Sequence, residues 1–366
     1  YLRELQWSIT DITSAMSIVA LPWVLKIFYG LISDTFPIFG YRRKSYLTLC
    51  SLIAATGWLA LVILPSDKVW IVLSLMIANF GFAATDVITD GVIVEHSTKE
   101  TGPIFQGIAW GARSIGAIIS GVLGGWLAAN WLHEHVFLLT MLLPLMVIIP
   151  VLFLEEKKRD RGPFKNVIQP VKQCFGMLIS KNFKWFIALL IVFSLSASFG
   201  VPFFFFMKES LEFPETFMGL LASIGWGGAL VGSLIYVRWL RKISPKVTLT
   251  WAIWITCINI LSTLLIFNKV TALSLIFIGG VMSYVALLPI MSSSAILTHN
   301  SGVEGTLFAV LMGIYNLAQI IFGFLGGRLY PLIGLKPLII STGILTLLGL
   351  YFVSKLNFDD HVEMET

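Results

Sequence analysis

The chain has 366 residues, of which 57% are hydrophobic and 12% are charged. Soluble domains carry about 25% charged residues, so too little charge is present here to cover a water-exposed surface. A soluble globular enzyme, a disordered chain and a secreted disulfide scaffold are thereby excluded. Cys50, Cys174 and Cys257 are scattered without CxxC spacing and suggest neither disulfides nor zinc.

A bilayer core asks for about 20 apolar residues per helix. Such runs fall near 12–33, 45–64, 69–92, 103–127, 135–154, 184–207, 216–239, 247–267, 271–297, 305–329 and 332–353. The pattern predicts an all-α polytopic membrane protein with eleven spans and mostly short connections. One connection is longer, 155–182, and opens Glu155-Glu156-Lys157-Lys158-Arg159-Asp160-Arg161. It separates an N-terminal half, 1–154, from a C-terminal half, 183–354, with a tail at 355–366. No signal-peptide pattern stands at the start, and Tyr1 reads as the middle of something longer.

Alternating crossings place 17 of the 25 Lys and Arg residues on the side that holds Arg42, Arg43 and Lys44. Six fall on the other side, and Lys26 and Arg113 stay inside the membrane. By the bias of cytoplasmic loops toward Lys and Arg, the first side is cytoplasmic and carries the C-terminal tail. The net charge of +5 is then a matter of topology and implies no nucleic-acid partner. The short loops point to a bacterial inner membrane, or to a plastid envelope in a eukaryote.

The run 103–127 aligns with 305–329 at an offset of 202 residues, and both end in Gly-x-Leu-Gly-Gly-x-Leu. This pairs the fourth visible span with the tenth, leaving five spans in the first half and six in the second. One helix missing before Tyr1 restores two parallel six-helix repeats, the major facilitator plan.

Ionisable groups inside a membrane cost at least about 2.5–3.5 kcal/mol at the helix centre, so each calls for a reason. At 1.5 Å per residue, Arg113 lies about 15 Å past Pro103, near midplane, and Asp86 about 25 Å below Val69. Asp90 sits one turn lower, near the interface. Asn79, Ala83, Asp86 and Asp90 share one helix face. Gln106, Trp110, Arg113, Ala117 and Ser120 share another, and Pro22, Lys26, Tyr29 and Ser33 a third. Three polar stripes face one another or water, which predicts a central hydrophilic cavity. Asp86 pairs with either Lys26 or Arg113, as a helix lock or as a gate that opens during a cycle. The second half offers neutral groups instead, among them Tyr315, Asn316 and Gln319. Proton-coupling chemistry is therefore expected in the first half, with Asp86 as the group that takes the proton.

The loop Gly30-Leu-Ile-Ser-Asp34-Thr-Phe-Pro-Ile-Phe-Gly40-Tyr-Arg42-Arg43-Lys44 resembles the major facilitator signature GxxxD…GxRR. Five residues separate Asp34 from Gly40 where the general signature has two. With the preceding Pro22-Trp23-Val-Leu-Lys26, the longer form resembles the folate–biopterin transporter family. Asp86-Val-Ile-Thr-Asp90-Gly-Val-Ile-Val-Glu95 and the helix bearing Arg113 are similar to that family's next segments. The resemblance spans 21–116 and implies uptake of folates or pterins, with protons, by alternating access. It implies roles for the matching positions Lys26, Asp34, Arg42, Arg43, Asp86, Asp90 and Arg113. On chemical grounds, Arg113 or Lys26 can meet a folate carboxylate, Trp110 can stack on its ring, and Asn79 lies on the stripe of Asp86. Asp34, Arg42, Arg43, Asp90 and Glu95 would form a cytoplasmic gate. No cofactor, metal or obligate protein partner is implied.

The rival carriers are facilitators of a muropeptide, a nucleoside or an amphipathic drug, and a non-transporting receptor on the same frame is a further class. An enzyme is disfavoured, because His96, His133, His135, His299 and His361 fall in loops or the tail without an HExxH pattern.

Overall fold

Pro22 interrupts the first apolar run. In the computed structural model, which describes residues 1–96, 102–158, 176–298 and 304–358, that run forms three pieces. They are helix α1 (Ile9–Val19), a 3-10 turn (Leu21–Leu25) and helix α2 (Lys26–Thr35). Proline has no N–H to give, so it fits the first turn of a helical segment and ends the one before it.

Among the described residues, ten further segments are long and apolar enough to cross a membrane. The first four are α3 (Lys44–Ile63), α4 (Lys68–His96), α5 (Gly102–Asn130), and the pair α6 (His133–Met146) and α7 (Ile148–Phe153). Next comes a composite of α8 (Lys181–Phe193), a 3-10 stretch (Ser194–Phe199), α9 (Gly200–Phe205) and a π turn (Phe206–Ser210). Then follow α10 (Glu215–Arg238), α11 (Pro245–Ser262), α12 (Lys269–Thr298) and α13 (Glu304–Ile333). The last is the pair α14 (Leu335–Thr346) and α15 (Leu348–Lys355). Ten of the eleven expected spans are thus long enough to cross a membrane, and the first is a shorter apolar helix, Ile9–Leu25, followed by α2. No strand occurs among the described residues, only the isolated bridge Ile38–Tyr41.

Pro202 explains the irregular composite. It cannot donate to the carbonyl of Ser198 one turn earlier, and the ladder loosens into 3-10 form over Ser194–Phe199. The freed Ser198 carbonyl lies where a Cβ on Gly326 would stand, so a glycine is needed there. The Ser198 hydroxyl is shared with Thr342 at 2.9 Å.

Helix contacts group the chain into two units. One comprises Tyr1, Ala15–Ala112 and Asn130–Lys172; the other comprises Leu2–Ser14, Arg113–Ala129 and Gln173–Thr366. In the first, α3 packs on α4 and α6. Gly57 meets the backbone of Ser74 and Ala78, and Gly81 meets that of Cys50 and Ala54. Small residues let the two helices approach backbone to backbone, the usual basis of close packing in lipid. Tyr29, Leu47, Cys50, Ala83, Ala84, Ile88 and Val151 form its buried core.

In the second unit, α10 lies along α12 with Gly228 and Gly232 against the carbonyls of Phe277 and Val281. One core joins α8, α11, α12 and α13 through Phe186, Leu189, Ile253, Ile290 and Leu311. A second lies around Phe203, Phe213, Leu221, Ile260 and Ile339. The C-terminal part of α5 also belongs here: Gly121 and Gly125 pack on Gly219, and Ser223 Oγ donates to Ile118 O at 2.6 Å. The N-terminal part of α1 meets α13, where Thr10 Oγ1 donates to Gly327 O at 3.0 Å. Gly125 and Gly327 are equivalent positions of the 202-residue repeat, and each admits a neighbouring helix.

Candidate functional site

Lys26 opens α2, and Asp86 lies in the cytoplasmic third expected for α4. Lys26 Nζ donates to Asp86 Oδ2 at 2.6 Å, with the side chains 27% and 30% exposed. Both side chains are partly exposed, so the pair is not sealed in the core. The pairing of Asp86 with Lys26, one of the two read from sequence, is thus present. The Lys26 ammonium also stands 4.8 Å from the centre of the Trp23 ring, a cation–π position. Trp23 Nε1 donates to Asn79 Oδ1 at 2.9 Å, and Asn79 Nδ2 donates to Leu75 O at 3.0 Å. Trp23, Lys26, Asn79 and Asp86 therefore form one continuous polar patch between the turn–α2 segment and α4. Trp23 was not among the candidates, although it lies three residues before Lys26, on the same helix face.

The loop between α2 and α3 turns at Phe39 and Gly40, both with positive φ (54° and 85°). Ile38 and Tyr41 exchange backbone hydrogen bonds of 3.1 and 3.0 Å across it. A two-residue hairpin with both central residues left-handed is what the extra loop residues build.

Beyond this hairpin, the amides of Arg42, Arg43 and Lys44 all donate to the carboxylate of Glu156, over 2.7 to 3.1 Å. A carboxylate on the open N–H groups of a helix start satisfies donors that the helix itself leaves unpaired. Glu156 thus ties the beginning of the central connection to the start of α3. Read from sequence, it looks like one more solvated charge in an acidic-basic run. Arg43 is buried at 6% exposure. Its guanidinium donates to Ser33 Oγ at 3.1 Å and lies over Gly91, where any Cβ would strike it. Asp90, one residue earlier on α4, is exposed. The side chains of Asp34, Glu95 and Trp110, also candidates, lie outside the described residues.

In the second unit, Arg113 is an exposed side chain of α5 whose charge acts on the hydroxyl of Tyr284 from α12. Tyr284 is in turn within electrostatic reach of Tyr315, whose hydroxyl accepts from Gln319 Nε2 at 2.6 Å. Asn316 is half-buried on the same helix, α13. Tyr284, which reads from sequence only as neutral polar content, is thus within electrostatic reach of both Arg113 and Tyr315. Trp226 on α10 completes the group, 6.2 Å from Tyr284 with the rings at 66°. The first unit has a separate recess of about 630 Å³, walled by Asn130, Trp131, His135, Leu138 and Leu142. Among the described residues, no His, Cys, Asp or Glu cluster could hold a metal ion.

The helical architecture, with ten described segments long and apolar enough to cross a bilayer, is that of a polytopic membrane protein. A solved structure of the nucleoside transporter NupG superposes with a TM-score of 0.75, covering 96% of this chain and 91% of that one at 13% identity. A POT family transporter in complex with 5-aminolevulinic acid superposes with a TM-score of 0.74 at 16% identity, covering 95% and 88%. At such identities the likeness is one of fold. The chain belongs to the BT1 family, whose model matches residues 3–341. It is 30% identical to the folate-biopterin transporter of Synechocystis sp., over 98% of this chain and 76% of that protein. It is also similar to probable folate-biopterin transporter 4 of Arabidopsis thaliana, at 24% identity over 91% and 84%. Folate transporter 2 of Plasmodium falciparum is 27% identical over 94% of this chain and 79% of its own length.

Proposed function

We propose that this protein is a secondary active transporter for folate- or pterin-type solutes, driven by protons through the Lys26–Asp86 pair. The observation that carries the reading is the 2.6 Å ion pair held between two helices and only partly buried. Charged groups in a span are expensive, so a partly buried pair of them is well suited to open and close during a transport cycle. With Asp86 ionised, Lys26 is occupied by it. A proton arriving on Asp86 removes that partner and leaves the ammonium free for a carboxylate of the solute. Folates have such a carboxylate, together with a flat ring bearing hydrogen-bond donors and acceptors. The names of the relatives supply the solute class.

In this reading the halves 1–154 and 183–354 alternate access to the two membrane faces, joined by a cytoplasmic connection at 155–182. The cytoplasmic gate is built on Arg42 and Arg43 with the acids Asp34, Asp90 and Glu95. The tail, 355–366, lies in the cytoplasm, and the membrane is a bacterial inner membrane. The bias of basic residues toward one side supports this orientation.

The test is uptake of labelled folate by the chain in proteoliposomes, with and without an inward proton gradient. The expected result is accumulation that collapses when the gradient is dissipated. Uptake that ignores the gradient overturns the proton coupling. Uptake of a nucleoside or muropeptide in place of any pterin overturns the solute class.

A further inference from the structure

The second unit contains a cavity of about 360 Å³ between α10 and α12, within the usual range for small-molecule sites. Phe204, Met207, Met218, Trp226, Ser283 and Tyr284 wall it. The two helices meet beside it through glycine: a Cβ at Gly280 would collide with the carbonyl of Gly225. With side chains there, α10 and α12 would stand apart or fill the space themselves.

From the aromatic pair and the polar groups along one rim of this cavity, we infer that it is the subsite for the flat ring of the solute. The inference rests on the folate or pterin reading above and adds where the ring lies. Trp226 and Tyr284 are 6.2 Å apart and tilted by 66°. Two stacking gaps of about 3.5 Å need parallel faces about 7 Å apart, so no ring slides between these two. The ring instead lies on the cavity face of Trp226 and meets Tyr284 at its edge, an arrangement that aromatic pairs favour. Met207 and Met218 supply polarisable sulfur around it.

Ser283 is the polar contact. Its Oγ accepts from Asn259 Nδ2 at 3.0 Å, which leaves the hydroxyl proton to donate to a ring nitrogen. Asn259 also donates to Gly279 O at 3.4 Å, so its amide is held in one orientation. Arg113 of α5 lies within electrostatic reach of the Tyr284 hydroxyl. A solute with its ring on Trp226 and its tail past Tyr284 brings an anionic group toward Arg113. Ring and tail are thereby read by different residues.

Splitting folate into its two parts tests this. Free pterin supplies the ring and 4-aminobenzoyl-glutamate supplies the tail. Each is measured as an inhibitor of labelled folate uptake by the full chain and its variants. In W226A the pterin concentration for half-inhibition is expected to rise tenfold or more, about the loss of one stacking contact. The tail fragment should inhibit as before, and W226F, which restores a ring, should recover most of the pterin effect. R113Q should show the opposite pattern, losing the tail fragment and keeping pterin. Unchanged pterin inhibition in W226A, with folate still carried, overturns the subsite and leaves the transport reading standing. Equal weakening of both fragments, with no rescue by W226F, marks a packing role for Trp226 and also overturns it. Absence of folate and pterin uptake by the unmodified chain overturns the transport reading, and this subsite with it.

Discussion

Lys26 and Asp86 meet at 2.6 Å across the α2–α4 contact, 60 residues apart in the chain. Both are roughly a quarter to a third exposed, so the pair lies between the solvated and the sealed extremes. Removing one partner leaves the other charge half in apolar surroundings, whereas removing both leaves neither. We expect D86N or K26M alone to lower stability by about 1–3 kcal/mol, and the double variant K26M/D86N to recover much of it. Thermal unfolding in detergent reads the stability. Uptake should stay insensitive to the proton gradient in the double variant even where folding is restored.

Trp23 serves two neighbours through two parts of its ring system. Its face is on Lys26 and its N–H is on Asn79. Trp23→Phe keeps a face and loses the donor, so it should cost about 0.5–1.5 kcal/mol, the net worth of one hydrogen bond. Trp23→Ala loses both and should cost more. A matched N79A variant closes the double-mutant cycle, and a coupling energy near zero would deny the hydrogen bond any role.

Glu156 caps α3 through three consecutive amides. Glu156→Ala should destabilise the protein by about 1–2 kcal/mol, in the range of a lost helix cap. The loss is local, so amide hydrogen exchange should rise at residues 42–47 and change little in α10 or α12. Glu156→Gln keeps one acceptor oxygen and should fall between the two.

Two adjacent glycines of α5 behave differently. A Cβ at Gly125 would stand within 3 Å of the Glu215 carbonyl and of Gly219, whereas a Cβ at Gly124 meets nothing within 4 Å. Gly124→Ala should be neutral or stabilise by up to about 1 kcal/mol through helix propensity. Gly125→Val should overpack the contact with α10 at a cost of about 1–3 kcal/mol. Comparison of the two melting temperatures checks this directly, since composition and depth are nearly the same.

Local chemistry made much of this protein legible in advance. The helices could be read because about 20 apolar residues in a row have one low-energy answer in lipid, a hydrogen-bonded helix. The face shared by Asn79 and Asp86 follows from 3.6-residue periodicity alone. Lys26, Asp86 and Arg113 stood out because a charge inside an apolar run is costly whatever its partner. Proline is a local signal too, yet the break at Pro22 became visible only when the chain had to turn there into α2.

What the tertiary structure decided is which residues meet. Asp86 could be given a cation from sequence only as a choice, whereas the packing of α2 on α4 sets Lys26 against it. Glu156 looked like one solvated charge among seven until the chain returned it to the start of α3, some 112 residues upstream. Trp226 and Tyr284 lie on different helices, and no periodicity within either run relates them. Hydropathy and periodicity act over a few helical turns, so they reveal faces and depths. Ion pairs, caps and pockets are made between segments, and only the packing of helix on helix determines their partners.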